Sequence, residues 1–279
     1  MYLQIVVPTD GSEDSIAAFR PAKQLARVCD APVVVIAVIG TDENPKLVEA
    51  RLRERLTLLD PARDRIVIDQ TGAPAAAIIA ELERVPGSLL CMRSTGRSHV
   101  EPILGLVTES VLRATTGPAV LIGPHVDTSS WTLHGPMVVC ADGSTTSHTI
   151  EPLAAQWGIA MGVDLTVCTV SDPDASSRGD NSDSSDSDDT TDIALPAHVA
   201  RSLQDAIGRA VDYDSLHGTD VPRTIIRFAK DRDAGLIAAA THGHTGLKRL
   251  AMGSTTMSLV HHAHVPVLTQ RPPGFAQEH

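Results

Sequence analysis

Short runs of Val, Ile and Leu alternate along this chain with longer stretches of helical pattern. Such runs are typical of strands in a parallel sheet that is buried on both faces, and their alternation with helices predicts βαβ units with right-handed connections. In the first half, strands are predicted near Leu3–Pro8, Pro32–Val38, Arg65–Asp69, Ser88–Met92 and Ala119–Ile122. Helices are predicted near Glu13–Val28, Pro45–Leu58, Pro74–Arg84 and Thr108–Thr115. Ser12 and Ser144 are each suited to cap the helix that follows the first strand of their half.

The second half of the chain repeats the first. The segment LQIVVPTDGSEDS corresponds to GPMVVCADGSTTS, so Asp10 matches Asp142, and Val38 matches Val170 at the same offset. Strands are therefore predicted near Met137–Ala141, Asp164–Val170, Val211–Ser215, Gly235–Ala240 and Val267–Thr269. A repeat of this length indicates a duplicated domain and not a short-period solenoid. The prediction is an α/β protein of two tandem doubly wound domains, each with a five-stranded parallel sheet.

The predicted boundaries follow from this repeat. Copy one covers residues 1–124, a polar linker covers 125–135, and copy two covers 136–270. Copy two carries an Asp/Ser-rich insert at 171–192, which has almost nothing apolar to bury and is expected to remain a disordered, solvated loop. Cation binding by the insert, or phosphorylation of its serines, stays open as an alternative.

Composition and charge exclude some classes of binding partner. A net charge of −11 argues against nucleic acid or an anionic membrane, because both favour Lys/Arg surfaces. No apolar run reaches the roughly 18 residues that span a bilayer, and the N-terminus has no signal-peptide pattern, so a cytoplasmic location is expected. The cysteines lack CxxC spacing and are expected to be buried, reduced thiols: Cys29, Cys91, Cys140 and Cys168.

The candidate site lies in copy two. Open parallel sheets bind ligands beyond the carboxyl ends of their strands. A glycine there lets backbone N–H groups approach an anion closely, and hydroxyl side chains at a helix N-terminus favour phosphate. The residues predicted at this edge are Ala141 and Asp142 after the first strand, Val170 after the second, Ala240, Gly243 and His244 after the fourth, and Gly253, Ser254 and Thr255 at the start of a helix.

These residues resemble the universal stress protein family, whose nucleotide-binding members carry Gly-x2-Gly-x9-Gly-Ser/Thr after the fourth strand. This sequence reads Ala240-x2-Gly243-x9-Gly253-Ser254, with Ala in place of the first Gly. The resemblance implies a Rossmann-like fold of the adenine-nucleotide α-hydrolase type and ATP, with or without Mg²⁺, bound in copy two. It also implies adenine and ribose contacts from Asp142 and Val170. The two copies would pair through their last strands as an intrachain pseudo-dimer, and further homodimerisation stays open.

Copy one departs from the family pattern. Arg93 stands where the first Gly belongs, the loop before Gly105 is one residue shorter, and Leu106 replaces the hydroxyl residue. This loop is expected to bind phosphate poorly, although a phosphate contact from Arg93 stays open. Asp10 and Val38 keep the positions that the family uses for the base and ribose.

Other motifs do not fit their context. The string THGH, residues 241–244, resembles a nucleotidyltransferase motif but follows the fourth predicted strand instead of the first, and neither GxxxxGK[ST] nor GxSxG occurs. His261, His262 and His264 have a spacing that favours a structural role over metal binding. The predicted function is thus an ATP-binding stress-response or signalling protein without efficient catalysis, with slow hydrolysis left open. The alternatives are a nucleotide-free dimerising scaffold and an adenylyl-transferring enzyme.

Overall fold

The structure is a computed structural model that describes residues 1–94, 104–144, 147–171, 190–241 and 252–271, with the backbone alone for 190–193. Copy one alternates strands and helices in the predicted order. Its elements are β1 (Gln4–Thr9), α1 (Glu13–Ala17), α2 (Phe19–Cys29), β2 (Val33–Val38), α3 (Pro45–Arg55), β3 (Arg65–Asp69), α4 (Pro74–Arg84), β4 (Ser88–Arg93), α5 (Leu106–Ala114) and β5 (Ala119–Ile122).

Copy two repeats this order with a longer connection after its second strand. Its elements are β6 (Met137–Cys140), a 3₁₀ turn (Ser147–Thr149), α6 (Ile150–Met161), β7 (Leu165–Ser171), α7 (Thr190–Ile207), β8 (Asp212–His217), α8 (Val221–Asp231), β9 (Leu236–Ala238), α9 (Ser254–His262) and β10 (Val267–Thr269).

The two five-stranded sheets join into one sheet of ten strands. Its order is β3-β2-β1-β4-β5-β10-β9-β6-β7-β8, with parallel pairing inside each copy. The junction is antiparallel, with Val267 opposite Leu121 and Thr269 opposite Ala119. This confirms both the doubly wound fold and the predicted pairing of the two closing strands. The pairing also removes two apolar edge strands from solvent.

Helices cover both faces of the sheet, as the aliphatic strand composition predicts. On one face Leu25 of α2 and Trp157 of α6 are fully buried in a single apolar cluster that includes residues of both copies. On the other face Phe228 of α8 and Leu259 of α9 belong to a second cluster that also includes both copies. Because burial of apolar area is the main stabilising contribution, the two copies share their cores instead of standing as separate units.

Hydrogen bonds from the two buried indoles join distant parts of the chain. The indole Nε1–H of Trp157 donates to the Tyr2 hydroxyl across 2.7 Å, and the two rings meet edge to face with centroids 6.3 Å apart. The linker residue Trp131 donates its Nε1–H to the Gly235 carbonyl at 2.9 Å. Each buried indole N–H therefore has an acceptor, which a buried donor needs.

The first predicted helix, Glu13–Val28, is wrong in one respect, because the chain breaks at Ala18 into α1 and α2. The physical reason is Pro21, which lacks the N–H that would bond the carbonyl of Ala17 in a continuous helix. The capping prediction is confirmed for Ser12, whose Oγ accepts the N–H of Ser15 at 3.2 Å. In copy two Ser144 Oγ accepts the N–H of Ser147 at 3.0 Å, so it caps the 3₁₀ turn before α6 and not α6 itself.

Several element ends differ from the predicted ones by a few residues. Helix α3 ends at Arg55 instead of Leu58, and β9 is shorter than Gly235–Ala240. The predicted insert at 171–192 is also narrower, because β7 runs through Ser171 and α7 begins at Thr190; residues 172–189 lie outside the described residues. Within the described ranges, no helix combines the length and apolar character that a bilayer crossing needs.

Candidate functional site

The site is set by the topology of copy two. Strand β6 lies between β7 and β9, and the chain leaves β6 toward β7 but later returns on the other side to form β9. The loops that follow β6 and β9 therefore diverge and leave a crevice at the carboxyl edge of the sheet. Doubly wound sheets bind ligands at such a switch point. The predicted site residues that the structure describes all lie on these strand ends or at the start of α9.

The loop after β6 is a tight turn around Asp142. The Asp142 Oδ1 atom accepts the N–H of Ser144 at 2.9 Å and its hydroxyl at 2.6 Å. Gly143 has φ +75°, the left-handed conformation that glycine adopts at low cost. The N–H of Ala141 donates to the Cys168 carbonyl at 2.9 Å, which fixes the start of the loop against β7. The Asp142 side chain is thereby held at the sheet edge and is exposed.

The start of α9 is clamped to the end of β9. The N–H of Gly253 donates to the Thr241 carbonyl at 2.5 Å, and the buried Thr256 hydroxyl donates to the Ala240 carbonyl at 2.7 Å. Among the described residues, no side chain caps this helix. The amides of Ser254 and Thr255 thus stand in the first turn, at the positive end of the helix dipole. This is a local arrangement suited to an anion.

The side of the crevice toward β7 is apolar. Val170 is half-buried near the end of β7 and belongs to the cluster on the α8 and α9 face. Leu195 of α7 lies over the turn after β6, since a Cβ added to Gly143 would be 3.1 Å from its Cδ2 atom. Sequence reasoning missed Leu195 and Thr256. The repeat could have pointed to Thr256, because Thr108 stands at the equivalent position of copy one. In the structure the Thr108 hydroxyl donates to the Arg93 carbonyl, as the Thr256 hydroxyl does to the Ala240 carbonyl.

Two predicted site residues, Gly243 and His244, lie outside the described residues. The structure brings together the others at one edge: Ala141, Asp142, Val170, Ala240, Gly253, Ser254 and Thr255.

In copy one the equivalent edge carries an ion pair. The Arg93 guanidinium donates Nε and Nη2 to Asp14 Oδ1 at 3.0 and 2.6 Å, and Nη1 to the Gly123 carbonyl at 2.8 Å. Its side chain is only 11% exposed. The place of the first motif glycine is therefore taken by a guanidinium that is bonded to the protein itself, while Gly105 still donates to the Ser94 carbonyl, as Gly253 does in copy two.

The histidines noted in the sequence gather near the junction of the copies. The ring centroid of His125, from the linker, lies 6.3, 6.3 and 5.8 Å from those of His261, His262 and His264. Burial and the neighbouring imidazoles lower the pKa of His261. Across the described ranges, no three His, Cys, Asp or Glu side chains are arranged to hold a metal ion.

A cavity of about 360 Å³ opens beside the amino ends of β1, β4 and β5 of copy one, lined in part by Tyr2, Gly117, Leu153 and Gln270. Its walls carry few charged groups. Its lining includes none of the predicted site residues of copy two, and it was not predicted.

The fold is that of a tandem, doubly wound α/β protein, and sheets of this class bind ligands at the carboxyl ends of their strands. The model of the Universal stress protein family matches the chain twice, over residues 1–123 and 135–271. The chain therefore belongs to the universal stress protein family, as a tandem two-domain member, which confirms the resemblance in the sequence.

Individual relatives agree with this placement. A universal stress protein of Methanocaldococcus jannaschii is 30% identical over 142 residues, which cover 44% of this chain and 82% of that protein. The structure of a universal stress protein from Archaeoglobus fulgidus has a TM-score of 0.64 at 20% identity and covers 97% of this chain and 99% of that one. A functionally unknown protein of Pseudomonas aeruginosa has a TM-score of 0.68 at 15% identity, with coverage of 99% and 94%. The two structures show the shared fold alone.

Proposed function

We propose that copy two binds an adenine nucleotide, ATP, at the carboxyl edge of β9, β6 and β7, and that the protein acts in stress response or signalling without efficient catalysis. The observation that carries the proposal is the start of α9. There the first-turn amides and hydroxyls of Ser254 and Thr255 stand where the helix dipole favours negative charge. A nucleotide is the natural anion for this site because the family resemblance assigns its base and ribose to Val170 and Asp142.

Preorganisation supports the proposal. The hydrogen bonds from Gly253 and Thr256 to the end of β9 hold the helix start in place before any ligand arrives. Ordering that is already present in the free protein does not have to be supplied on binding, which favours affinity. Gly243 and His244 belong to the proposed site on sequence grounds alone.

Magnesium is proposed only as a companion of the nucleotide. Mg²⁺ is usually held by one or two carboxylates together with substrate phosphates. Asp142 is a carboxylate at this edge, and its Oδ1 atom already accepts two hydrogen bonds from Ser144. Because Asp142 Oδ1 already accepts these hydrogen bonds, we expect binding without efficient turnover. Efficient phosphoryl transfer needs positioned metal ligands and a base for the nucleophile.

Copy one is proposed to bind nucleotide poorly. A phosphate that entered there would have to displace Arg93 from Asp14 and from the Gly123 carbonyl, or bind beside an already bonded guanidinium. It would also find Leu106 in place of a hydroxyl, with its side chain 83% exposed. We therefore expect about one ATP per chain.

The two glycines at the helix starts offer a matched test. Gly253 has φ −69° and ψ 159°, and Gly105 has φ −57° and ψ 144°, so both backbones accept valine without left-handed strain. Calorimetric titration with ATP should show that Gly253→Val loses at least about tenfold in affinity, roughly 1.4 kcal/mol, because its branched side chain blocks the approach of phosphate. Gly105→Val should change little. Ser254→Ala should lose about 1–2 kcal/mol, the contribution of a hydrogen bond to a charged group.

Mass spectrometry of small molecules released from the purified wild-type protein identifies the nucleotide. Two equivalent sites per chain, or full affinity in Gly253→Val, would contradict the proposal. If neither released nucleotide nor titrated ATP is found, the nucleotide-free scaffold is the better description. Release of pyrophosphate with an acceptor would point to adenylyl transfer.

A further inference from the structure

Two cysteines face each other directly beneath the candidate site. Cys140 ends β6, and its register partner on the parallel strand β7 is Cys168. The cluster on the α8 and α9 face contains Cys168, with Cys140 and Val170 packed at its border, so the three side chains share one face of the sheet. Copy one has Pro8 and Ile36 at the equivalent register pair. The thiol pair thus belongs only to the copy that carries the phosphate-binding helix start.

The geometry of the pair suits a disulfide. Adjacent strands lie about 4.8 Å apart, within the roughly 4.4–6.8 Å that separates the Cα atoms of bridged cysteines. Both thiols are unbridged in this structure. Bridged Cβ atoms are closer, about 3.8 Å, so the strands must draw together when the bond forms. A disulfide closed under such strain is readily reduced.

Any movement of the pair reaches the candidate site at once. Ala141 and Asp142 follow Cys140 directly, and the N–H of Ala141 bonds the Cys168 carbonyl. Val170 is two residues beyond Cys168, on the same face. Drawing β6 and β7 together therefore shifts the residues that are proposed to contact ribose and adenine.

We propose that Cys140 and Cys168 form a reversible disulfide and that its closure weakens nucleotide binding in copy two. The second half of this statement rests on the proposed function. With hydrogen peroxide as oxidant, one thiolate attacks a peroxide oxygen, the O–O bond breaks, and a sulfenic acid and water are formed. The second thiol then attacks the sulfenic sulfur, the S–S bond forms, the S–O bond breaks and a second water leaves. Two thiols lose two electrons and two protons, and a small dithiol reverses the step.

The surroundings of Cys140 and Cys168 set the rate at which the pair is oxidised. The hydrogen bond to Cys168 and burial raise the pKa of Cys140 well above its usual range, so little thiolate is present at neutral pH. Oxidation should therefore be slow and should quicken as the pH rises. Cys91 is fully buried, and burial raises its pKa to about 12. Cys140 is half-buried, which gives a small oxidant more access to it.

The modification is tested by mass. The full chain is treated with hydrogen peroxide at about pH 8.5, near the ordinary pKa of a cysteine, and then alkylated. Intact mass should fall by about 2 Da before alkylation, with peptide mapping that links Cys140 to Cys168. A double variant, Cys29→Ser with Cys91→Ala, should form the same link, while Cys168→Ala should not lose this mass. Four alkylatable thiols after oxidation, or a link through another pair, would overturn the proposal.

The consequence is tested by titration of the reduced and oxidised protein with ATP. We expect the Kd of the double variant to rise at least about fivefold on oxidation, the lower end of ordinary coupling between sites, and to recover with dithiothreitol. The Kd of Cys168→Ala should be the same before and after peroxide. An oxidised protein with unchanged Kd would overturn the regulatory claim. If the reduced protein binds no ATP, the proposed function fails, and the mass measurement still decides the disulfide.

Discussion

At Gly123 the backbones of the two copies lie close together, and replacing this residue with alanine tests how firmly the copies are joined. Gly123 follows β5 of copy one and is buried. An added Cβ would overlap the carbonyl oxygen of Val260 in α9 and lie 3.0 Å from its carbonyl carbon. Both atoms are backbone, so no rotamer change relieves the overlap and the helix must move. Overpacking of this kind costs about 1–3 kcal/mol. We expect Gly123→Ala to lose about 3 kcal/mol, the upper end, because the overlap is with backbone.

Gly117 provides the matched control, because an added Cβ there has no neighbour within 4 Å. Gly117→Ala should be neutral or stabilise the fold by about 0.4–1 kcal/mol through the unfolded chain. Urea unfolding, followed by far-UV circular dichroism, gives the free energies. The melting temperature of Gly123→Ala should fall by roughly 6–12 °C, at about 2–4 °C for each kcal/mol. If the two variants differ by less than about 0.5 kcal/mol, the size of an ordinary surface substitution, the close contact is absent.

Two further expectations concern the shared core and the acidic insert. Tyr2→Phe leaves the buried Nε1–H of Trp157 without its acceptor, so it should cost about 1–3 kcal/mol in urea unfolding. The corresponding change at the half-exposed Tyr213 should cost almost nothing, and equal losses would contradict the role of the hydrogen bond. Replacing residues 172–189 with a short Gly/Ser loop should move the melting temperature by only a few degrees, because halving a loop changes its closure free energy by about 0.6 kcal/mol. Loss of cooperative unfolding would show that the insert supports the fold.

The strands were predictable because their signal is local. Arg65–Asp69, Ala119–Ile122 and Val267–Thr269 have the predicted bounds. The last two are short apolar runs that are buried throughout, as expected in a sheet that is covered on both faces. Arg65–Asp69 is an edge strand whose three central residues are aliphatic and partly buried. The junction of the copies was predictable for a related reason, since two exposed apolar closing strands satisfy each other by pairing.

The features that were missed depend on contacts between distant residues. The break before Pro21 was visible in the sequence, but the apolar periodicity continues through it and outweighed the missing N–H. The partners of Arg93 could not be predicted from the sequence. Asp14 is 79 residues away, and the direction of the Asp14 side chain depends on the break between α1 and α2. The pairing of Cys140 with Cys168 could not be predicted because it depends on the register of β6 against β7. A slip of one residue would turn the side chains of one strand to the opposite face of the sheet.

The two copies share a scaffold and differ at Arg93, beside the shorter loop and Leu106. In both copies the glycine before the last helix donates to a carbonyl just beyond the fourth strand, and a threonine three residues later donates to the residue before it. Copy one adds Arg93 to this frame and thereby joins α1 to the end of β5 through Asp14 and the Gly123 carbonyl. The bond to Gly123 stands beside the contact with Val260, so the ion pair braces the junction of the copies. Copy two has Ala240 at that point, which contributes no charge. Copy one thus holds its edge with its own side chains, whereas the corresponding edge of copy two is the site that we propose for a nucleotide.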